Sequence, residues 1–200
     1  FDDFWYDEMV SFWISDPNIS IKESFDRIFS SNLMVSYEIF LKLYHYIFGY
    51  DVHISRYFSS CISICSLIFF YFLLKKNSSK NTAIVGLSLL IFNVYHIKYS
   101  FELRAYILTF LLAIVLINLI FENKKIKEDT TVFDYIFIFT TSLLLLFSHA
   151  LSITIIISLL VFLIIKLFKS NLKNQKFIPI GIALLLSLLI FLFIYLNNIS

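Results

Sequence analysis

The sequence predicts an all-α fold, a polytopic transmembrane helix bundle with short amphipathic surface helices in its first outer loop. Three observations predict it. Hydrophobic residues make up 60% of the 200-residue chain and charged ones only 15%, with a mean hydropathy of +0.86. Apolar runs of near-spanning length recur from residue 54 to residue 196. Lysines gather in every second connection between those runs. A water-soluble domain carries about 25% charged residues, so lipid is the natural solvent for this apolar excess. The net charge of +2 is too small to attract nucleic acid. The abundance of Phe, Ile, Asn and Lys is a compositional bias with little functional content.

Residues 1–53 form the polar part, expected as an outer-face loop. They hold Asp2, Asp3, Asp7, Glu8, Asp16, Glu23, Asp26, Glu38 and Asp51, nine of the 14 acidic residues. Asp16-Pro17-Asn18 reads as a turn. Ser20 followed by Glu23 is a capping box that opens a short helix with Ile21, Phe25, Ile28 and Phe29 on one face. A second helix over about 33–48 carries Leu33, Tyr37, Phe40, Leu41, Tyr44 and Phe48 at helical spacing, and Gly49 is its C-terminal stop. Both are too short and too polar to span, and aromatic-rich helices of this kind lie at a membrane surface.

Residues 54–200 are expected to form about six spans: 54–74, 81–98, 103–121, 132–148, 150–168 and 178–196. A span needs about 20 residues to cross a core about 30 Å thick. The run 132–168 would be about 55 Å long as one helix, so it must fold back at its polar pair Ser148-His149. One set of connections holds Lys75, Lys76 and Lys80, then Lys124, Lys125 and Lys127, then the lysines from Lys166 to Lys176. The alternate set holds Lys98, Arg104 and His149 with the acidic N-terminal segment. The basic set is expected to face the cytoplasm. The other then faces outward.

Cys61 and Cys65 stand at i and i+4 in one apolar run, a poor placement for a disulfide. They read as small residues at a helix contact. The chain opens on Phe1 in a polar aromatic stretch and closes just after an apolar run. It is therefore expected to be a piece of a longer protein, inactive by itself.

Four polar groups fall on the outer side: Asp7-Glu8 in the setting Phe4-Trp5-Tyr6, Arg56 at the start of the first span, the stretch Tyr99-Ser100-Phe101-Glu102-Leu103-Arg104-Ala105-Tyr106, and His149. Polar residues retained beside a membrane call for a functional hypothesis. A carboxylate can take a proton from an attacking hydroxyl. An arginine can hold a phosphate through two hydrogen bonds and stabilise its charge as it departs. Each group also has a plain reading. Asp7-Glu8 can be a solvated acidic pair, Arg56 and Arg104 interfacial anchors, and His149 a residue satisfying a tight turn. Tyr99, Glu102 and Tyr106 share one helical face, whereas Arg104 lies about 200° from Glu102. The two meet only if the helix begins near Glu102, or if they serve different parts of a site.

These residues in this order resemble the GT-C superfamily of membrane glycosyltransferases. The nearest types are the dolichyl-phosphate-mannose–protein mannosyltransferases and bacterial relatives that modify lipid A, lipopolysaccharide or cell-wall polymers. Asp7-Glu8 looks like the family's acidic pair in the first outer loop. The stretch Phe40 to Gly49, followed by Ile54-Ser55-Arg56-Tyr57-Phe58-Ser59, looks like its surface helix, Phe-Gly turn and Arg-starting span. Tyr99 to Tyr106 looks like its Tyr-Ser-x-Glu-x-Arg-x-Tyr signature, and His149 falls where the family often has a histidine. The resemblance covers about residues 4–165 and suggests an N-terminal half fragment; where the family often has a Pro pair, this chain has Met34-Val35-Ser36.

The resemblance implies a sugar transferred from a polyprenyl-phosphate donor to an acceptor hydroxyl, with inversion, on the outer or periplasmic face. Asp7 would be the general base and Glu8 would support it or bind the acceptor. Arg104, with Arg56, would contact the donor phosphate, and Glu102, Tyr99, Tyr106 and His149 would support the site. The acceptor would be a lipid, a polysaccharide or a protein, in a bacterial inner membrane. No cofactor is required, since many relatives need no catalytic metal and the sequence offers no ligand cluster that argues for a divalent ion. A transporter or flippase for lipid-linked sugars is the main rival. Such proteins favour Gly/Pro-broken helices and mid-membrane charge, whereas this chain has three Gly and two Pro. Asp134 lies near the cytoplasmic end of its run. A non-catalytic scaffold is a second rival, and it leaves the gathering of polar groups on one face unexplained.

Overall fold

A computed structural model describes residues 5–31, 35–122, 131–169 and 177–199. Leu33, Lys124, Lys125, Lys127, Lys173 and Lys176, which entered the helix and orientation expectations, lie outside these residues. Among the described residues the regular structure is all helix, without strands: α1 (Tyr6–Ile14), α2 (Ile21–Ser30), α3 (Val35–Phe48), α4 (Val52–Asn77), α5 (Lys80–Ile91), α6 (Val94–Phe101), α7 (Tyr106–Glu122), α8 (Val132–Leu146), α9 (Ser152–Lys169) and α10 (Phe177–Ile199). Three of them, Val52–Asn77, Ser152–Lys169 and Phe177–Asn197, are long and apolar enough to cross a membrane. The pair α5 and α6 makes a fourth if its two limbs form one span, bent by 60°. Tyr106–Phe121 and Val132–Leu146 are apolar but shorter. The chain divides into two compact units, residues 1–114 and 115–200.

The first unit begins with three short helices. Ser20 caps α2 by accepting the Glu23 N–H at 3.1 Å, and the Asp16 carboxylate accepts the Asn18 N–H at 2.8 Å in the preceding turn. Gly49 ends α3 at φ +103, with its N–H on the His45 carbonyl at 2.9 Å. Only a residue without a Cβ adopts that conformation cheaply. Helix α1 is an element that sequence periodicity does not reveal, because its apolar and polar faces are exchanged. It buries Glu8, Ser11 and Ile14 and exposes Tyr6, Met9 and Trp13. Helix α3 does so in part: Glu38, Lys42 and His45 turn inward beside Tyr37 and Leu41, while Leu43, Tyr46, Ile47 and Phe48 turn outward. An outward apolar face on short helices suits the interface between lipid and water.

The inward polar groups find partners. Lys42 Nζ donates to the carbonyls of Asp16 and, at 2.9 Å, Ile19. His45 bonds the Ser15 carbonyl through Nδ1 at 3.1 Å and Ser55 Oγ through Nε2 at 2.6 Å. Arg27 donates to the Trp13 carbonyl at 2.8 Å and stacks over the Trp13 ring at 4.0 Å. These bonds join α1, α2, α3 and the start of α4 into one platform.

Helix α4 packs through a stripe of small polar residues, Ser55, Ser59, Ser63 and Ser66, all buried. Small residues at this spacing let neighbouring helices approach closely. Cys61 and Cys65, expected at a helix contact, lie instead on the exposed face of α4. The run 81–98 is interrupted at Phe92-Asn93. The Asn93 side chain accepts the N–H groups of Tyr95 and His96 at 2.9 and 3.1 Å and starts α6 afresh. Tyr37, Leu41, Ile62, Leu103, Ile107 and Leu108 form the apolar core of this unit.

The second unit contains the C-terminal part of α7 with α8, α9 and α10. The chain turns back at 147–151, as the overlong apolar run requires. Ser142 and Ser187 are hydrogen-bonded at 2.9 Å between α8 and α10, with Phe147 edge-on to Phe191. Asp134 caps α8 by accepting the Thr131 N–H at 3.0 Å.

Candidate functional site

The first unit brings Asp7, Glu8, Arg56, Glu102 and Arg104 together. Helix α1 supplies the two acids from its first turn, where carboxylates favour the positive end of the helix dipole. Helix α4 supplies Arg56. The remaining two come from the turn between α6 and α7. That turn answers the geometric question left by the sequence. Helix α6 stops at Phe101 and α7 starts at Tyr106, so residues 102–105 are not helical. Glu102 and Arg104 therefore leave the backbone on the same side, and Arg104 Nε lies 3.7 Å from Glu102 Oε2.

Glu8 and Asp7 differ in surroundings. Glu8 is 1% exposed. Its Oε1 accepts the Leu103 N–H at 2.9 Å, and its Oε2 accepts the Trp5 N–H at 3.1 Å and faces Arg56 Nη2 at 3.5 Å. A buried carboxylate with an arginine and two N–H donors is fully compensated. It is enclosed from solvent and ties α1 to the 102–105 turn. Asp7 is 60% exposed, and its Oδ2 pairs with Arg104 Nη2 at 2.8 Å. Of the two acids, Asp7 is the one an incoming molecule can reach.

Arg104, 27% exposed, lies between Asp7 and Glu102. Lys98 Nζ lies 3.7 Å from Glu102 Oε1. Lys98 belongs to the cluster although sequence reasoning assigned it only to orientation. The signal available was its i, i+4 spacing from Glu102 on α6. Both arginines turn inward onto carboxylates, which is more than a headgroup anchor requires. Tyr99 and Tyr106 flank the turn, with ring centroids 4.5 Å apart. They form part of the lining of an apolar cavity of 430 Å³, together with Tyr95, His96, Ile107 and Phe110. A charged cluster and an aromatic cavity thus share the same two tyrosines.

His149 sits in the second unit, in the 147–151 turn, where its Nδ1 accepts the Leu151 N–H at 3.1 Å. Burial lowers its pKa below the ordinary imidazole value, which favours the neutral ring that this bond needs. The bond satisfies the turn locally. Among the described residues, no three His, Cys, Asp or Glu side chains gather as a metal site.

Chemically, the cluster offers one reachable carboxylate and an adjacent guanidinium, 27% exposed, whose Nε has no hydrogen-bond partner among the described residues. An arriving phosphate can compete with Asp7 for Arg104, because both are oxyanions suited to the same fork of N–H groups. Compared with protein-family models, curated proteins and solved structures, the chain matches none.

Proposed function

We propose that this chain carries the acidic site of a membrane glycosyltransferase of GT-C type. It would take a sugar from a polyprenyl-phosphate donor and transfer it to an acceptor hydroxyl at the outer face of a multi-pass membrane protein. The observation that carries the reading is the Asp7–Arg104 pair at 2.8 Å: an exposed carboxylate beside a phosphate-binding group, in contact although far apart in sequence.

In the proposed reaction the donor phosphate docks on Arg104 and draws it from Asp7. The freed carboxylate takes the proton of the acceptor hydroxyl as its oxygen attacks the anomeric carbon. The bond from that carbon to the phosphate oxygen breaks, and the electron pair leaves with the polyprenyl phosphate, whose charge Arg104 holds. A single displacement inverts the anomeric centre. Arg56 acts through Glu8, which fixes the turn, and Glu102 and Lys98 set the resting place of Arg104. Tyr99 and Tyr106 connect the charged cluster to the apolar cavity, which suits the lipid side of the donor. Six spans, lysines toward the cytoplasm and a bacterial inner membrane complete the proposal. No part of it calls on a resident metal. The transporter reading is less favoured because Asp134 is absorbed in a helix cap and the charge gathers beside the surface helices rather than in mid-span.

The test is donor consumption by the full-length protein in liposomes, offered a panel of radiolabelled polyprenyl-phosphate sugars, with Asp7→Asn alongside. Consumption is expected in the wild type and should fall by about 10²–10⁴-fold on loss of the base. Equal consumption by both would remove Asp7 from the role of base.

A further inference from the structure

We propose that Ser59, held in place by Tyr37, is a positioning residue for Arg104. It fixes the carbonyl of Glu102 so that the guanidinium two residues on is presented to the donor phosphate. The inference rests on the reading of Arg104 as the phosphate-binding group.

The turn that carries Arg104 is gripped from two helices. Leu103, fully buried in the apolar core, anchors its middle. From α1, Glu8 takes the Leu103 N–H at 2.9 Å. From α4, Ser59 Oγ donates to the Glu102 carbonyl at 2.8 Å and Ser60 Oγ to the Ser100 carbonyl at 3.0 Å. The Glu102 carbonyl also accepts the Arg104 N–H at 2.9 Å. Ser59 therefore bonds the same oxygen that sets the backbone direction of Arg104.

A serine hydroxyl has one hydrogen, and here it goes to Glu102. The 2.9 Å contact between Ser59 Oγ and Tyr37 Oη must then have Tyr37 as donor. Burial pushes the Tyr37 hydroxyl far above its ordinary pKa, so it keeps that hydrogen. The result is a directed chain from Tyr37 on α3, through Ser59 on α4, to the turn. All its hydroxyls are buried, and in that setting a serine is free to point at only one acceptor. Ser59 is part of the small-residue stripe, but packing alone would be served by alanine. The tyrosine that polarises it gives the hydroxyl a further role.

Polyprenyl monophosphate, which carries the phosphate without the sugar, is the probe. Its binding to the full-length protein in micelles would be measured for wild type, Ser59→Ala, Ser59→Thr, Arg104→Gln and Ser59→Ala/Arg104→Gln. Ser59→Ala is expected to weaken binding about tenfold, the worth of one buried hydrogen bond, and Ser59→Thr to restore it. Arg104→Gln is expected to weaken binding at least as much, and Ser59→Ala to add nothing in that background. In turnover, Ser59→Ala should raise the KM for donor and leave that for acceptor unchanged, a split that general loosening would not produce. If Ser59→Ala does not fold, Ser59→Ala/Tyr37→Phe, which leaves no orphaned hydroxyl, carries the same comparison. Unchanged binding in Ser59→Ala, or a full effect of Ser59→Ala on top of Arg104→Gln, overturns the positioning role while leaving the phosphate reading intact. No effect of Arg104→Gln overturns both.

Discussion

Glu38 carries a pH dependence into the surface-helix platform. Ser11 Oγ donates to its Oε1 at 2.9 Å, while Oε2 is buried and has no hydrogen-bond partner among the described residues. Burial pushes its pKa up to about 8 from an ordinary value of 4.5, so the folded chain holds it neutral at pH 7. Its contribution to stability is complete below pH 4.5. It is lost as pH rises to about 8, because the unfolded carboxyl ionises first. His45 has the opposite sign: burial lowers its pKa, so its contribution is present above the ordinary value of 6.5 and is lost as the pH falls below it. Above pH 6.5, where His45 no longer offsets it, thermal unfolding in micelles should therefore show wild-type stability falling by about 2 kcal/mol up to pH 8. Glu38→Gln, which mimics the neutral acid, should flatten that fall. An unchanged slope in Glu38→Gln would assign the pH dependence to other groups.

At the scale of elements, close approach of α4 and α5 is set at Gly86, where an added Cβ would lie 2.5 Å from Leu74 Cδ1. The tip of the half-buried Leu74 side chain can shift, and alanine favours a helix by about 1 kcal/mol over glycine, so Gly86→Ala is expected to cost no more than about 1 kcal/mol. Leu74→Ala in the same chain should recover most of it, read as unfolding temperature in a double-mutant cycle; simple additivity would show that the two helices do not meet there. Elements whose signals are local were legible in the sequence. Ser20 with Glu23 marked α2, Gly49 marked the end of α3, and the excessive length of 132–168 marked the 147–151 turn. Helix α1 was not legible, because periodicity arguments assume that apolar residues face inward, and here Glu8 and Ser11 do. The break at Phe92-Asn93 was also missed. One asparagine in an apolar run reads as a tolerated polar residue until its side chain is seen capping α6.

For the whole molecule, the alternation of lysines predicts Asp7, Arg56, Glu102 and Arg104 on one side; the structure joins Asp7, Arg104 and Glu102 directly and links Arg56 to their turn through Glu8. This pairing was not legible, since Arg104 reaches Glu102 only because the helix breaks over 102–105. The proposed orientation makes its own prediction. In a background with Cys61 and Cys65 replaced by Ala, Asn18→Cys should react with a membrane-impermeant maleimide added to intact cells, and Ser78→Cys only after permeabilisation. The reverse pattern would invert the proposed topology. In the proposed reaction the sugar leaves its lipid phosphate at this cluster, and labelling the two halves of the donor separately tests that step. Full-length protein in liposomes, given acceptor and a polyprenyl-phosphate sugar labelled in both sugar and lipid, should yield glycosylated acceptor and free polyprenyl phosphate in equal amounts. If instead the donor appears intact in the opposite leaflet, with both labels still joined, the protein moves lipid-linked sugars and does not transfer them.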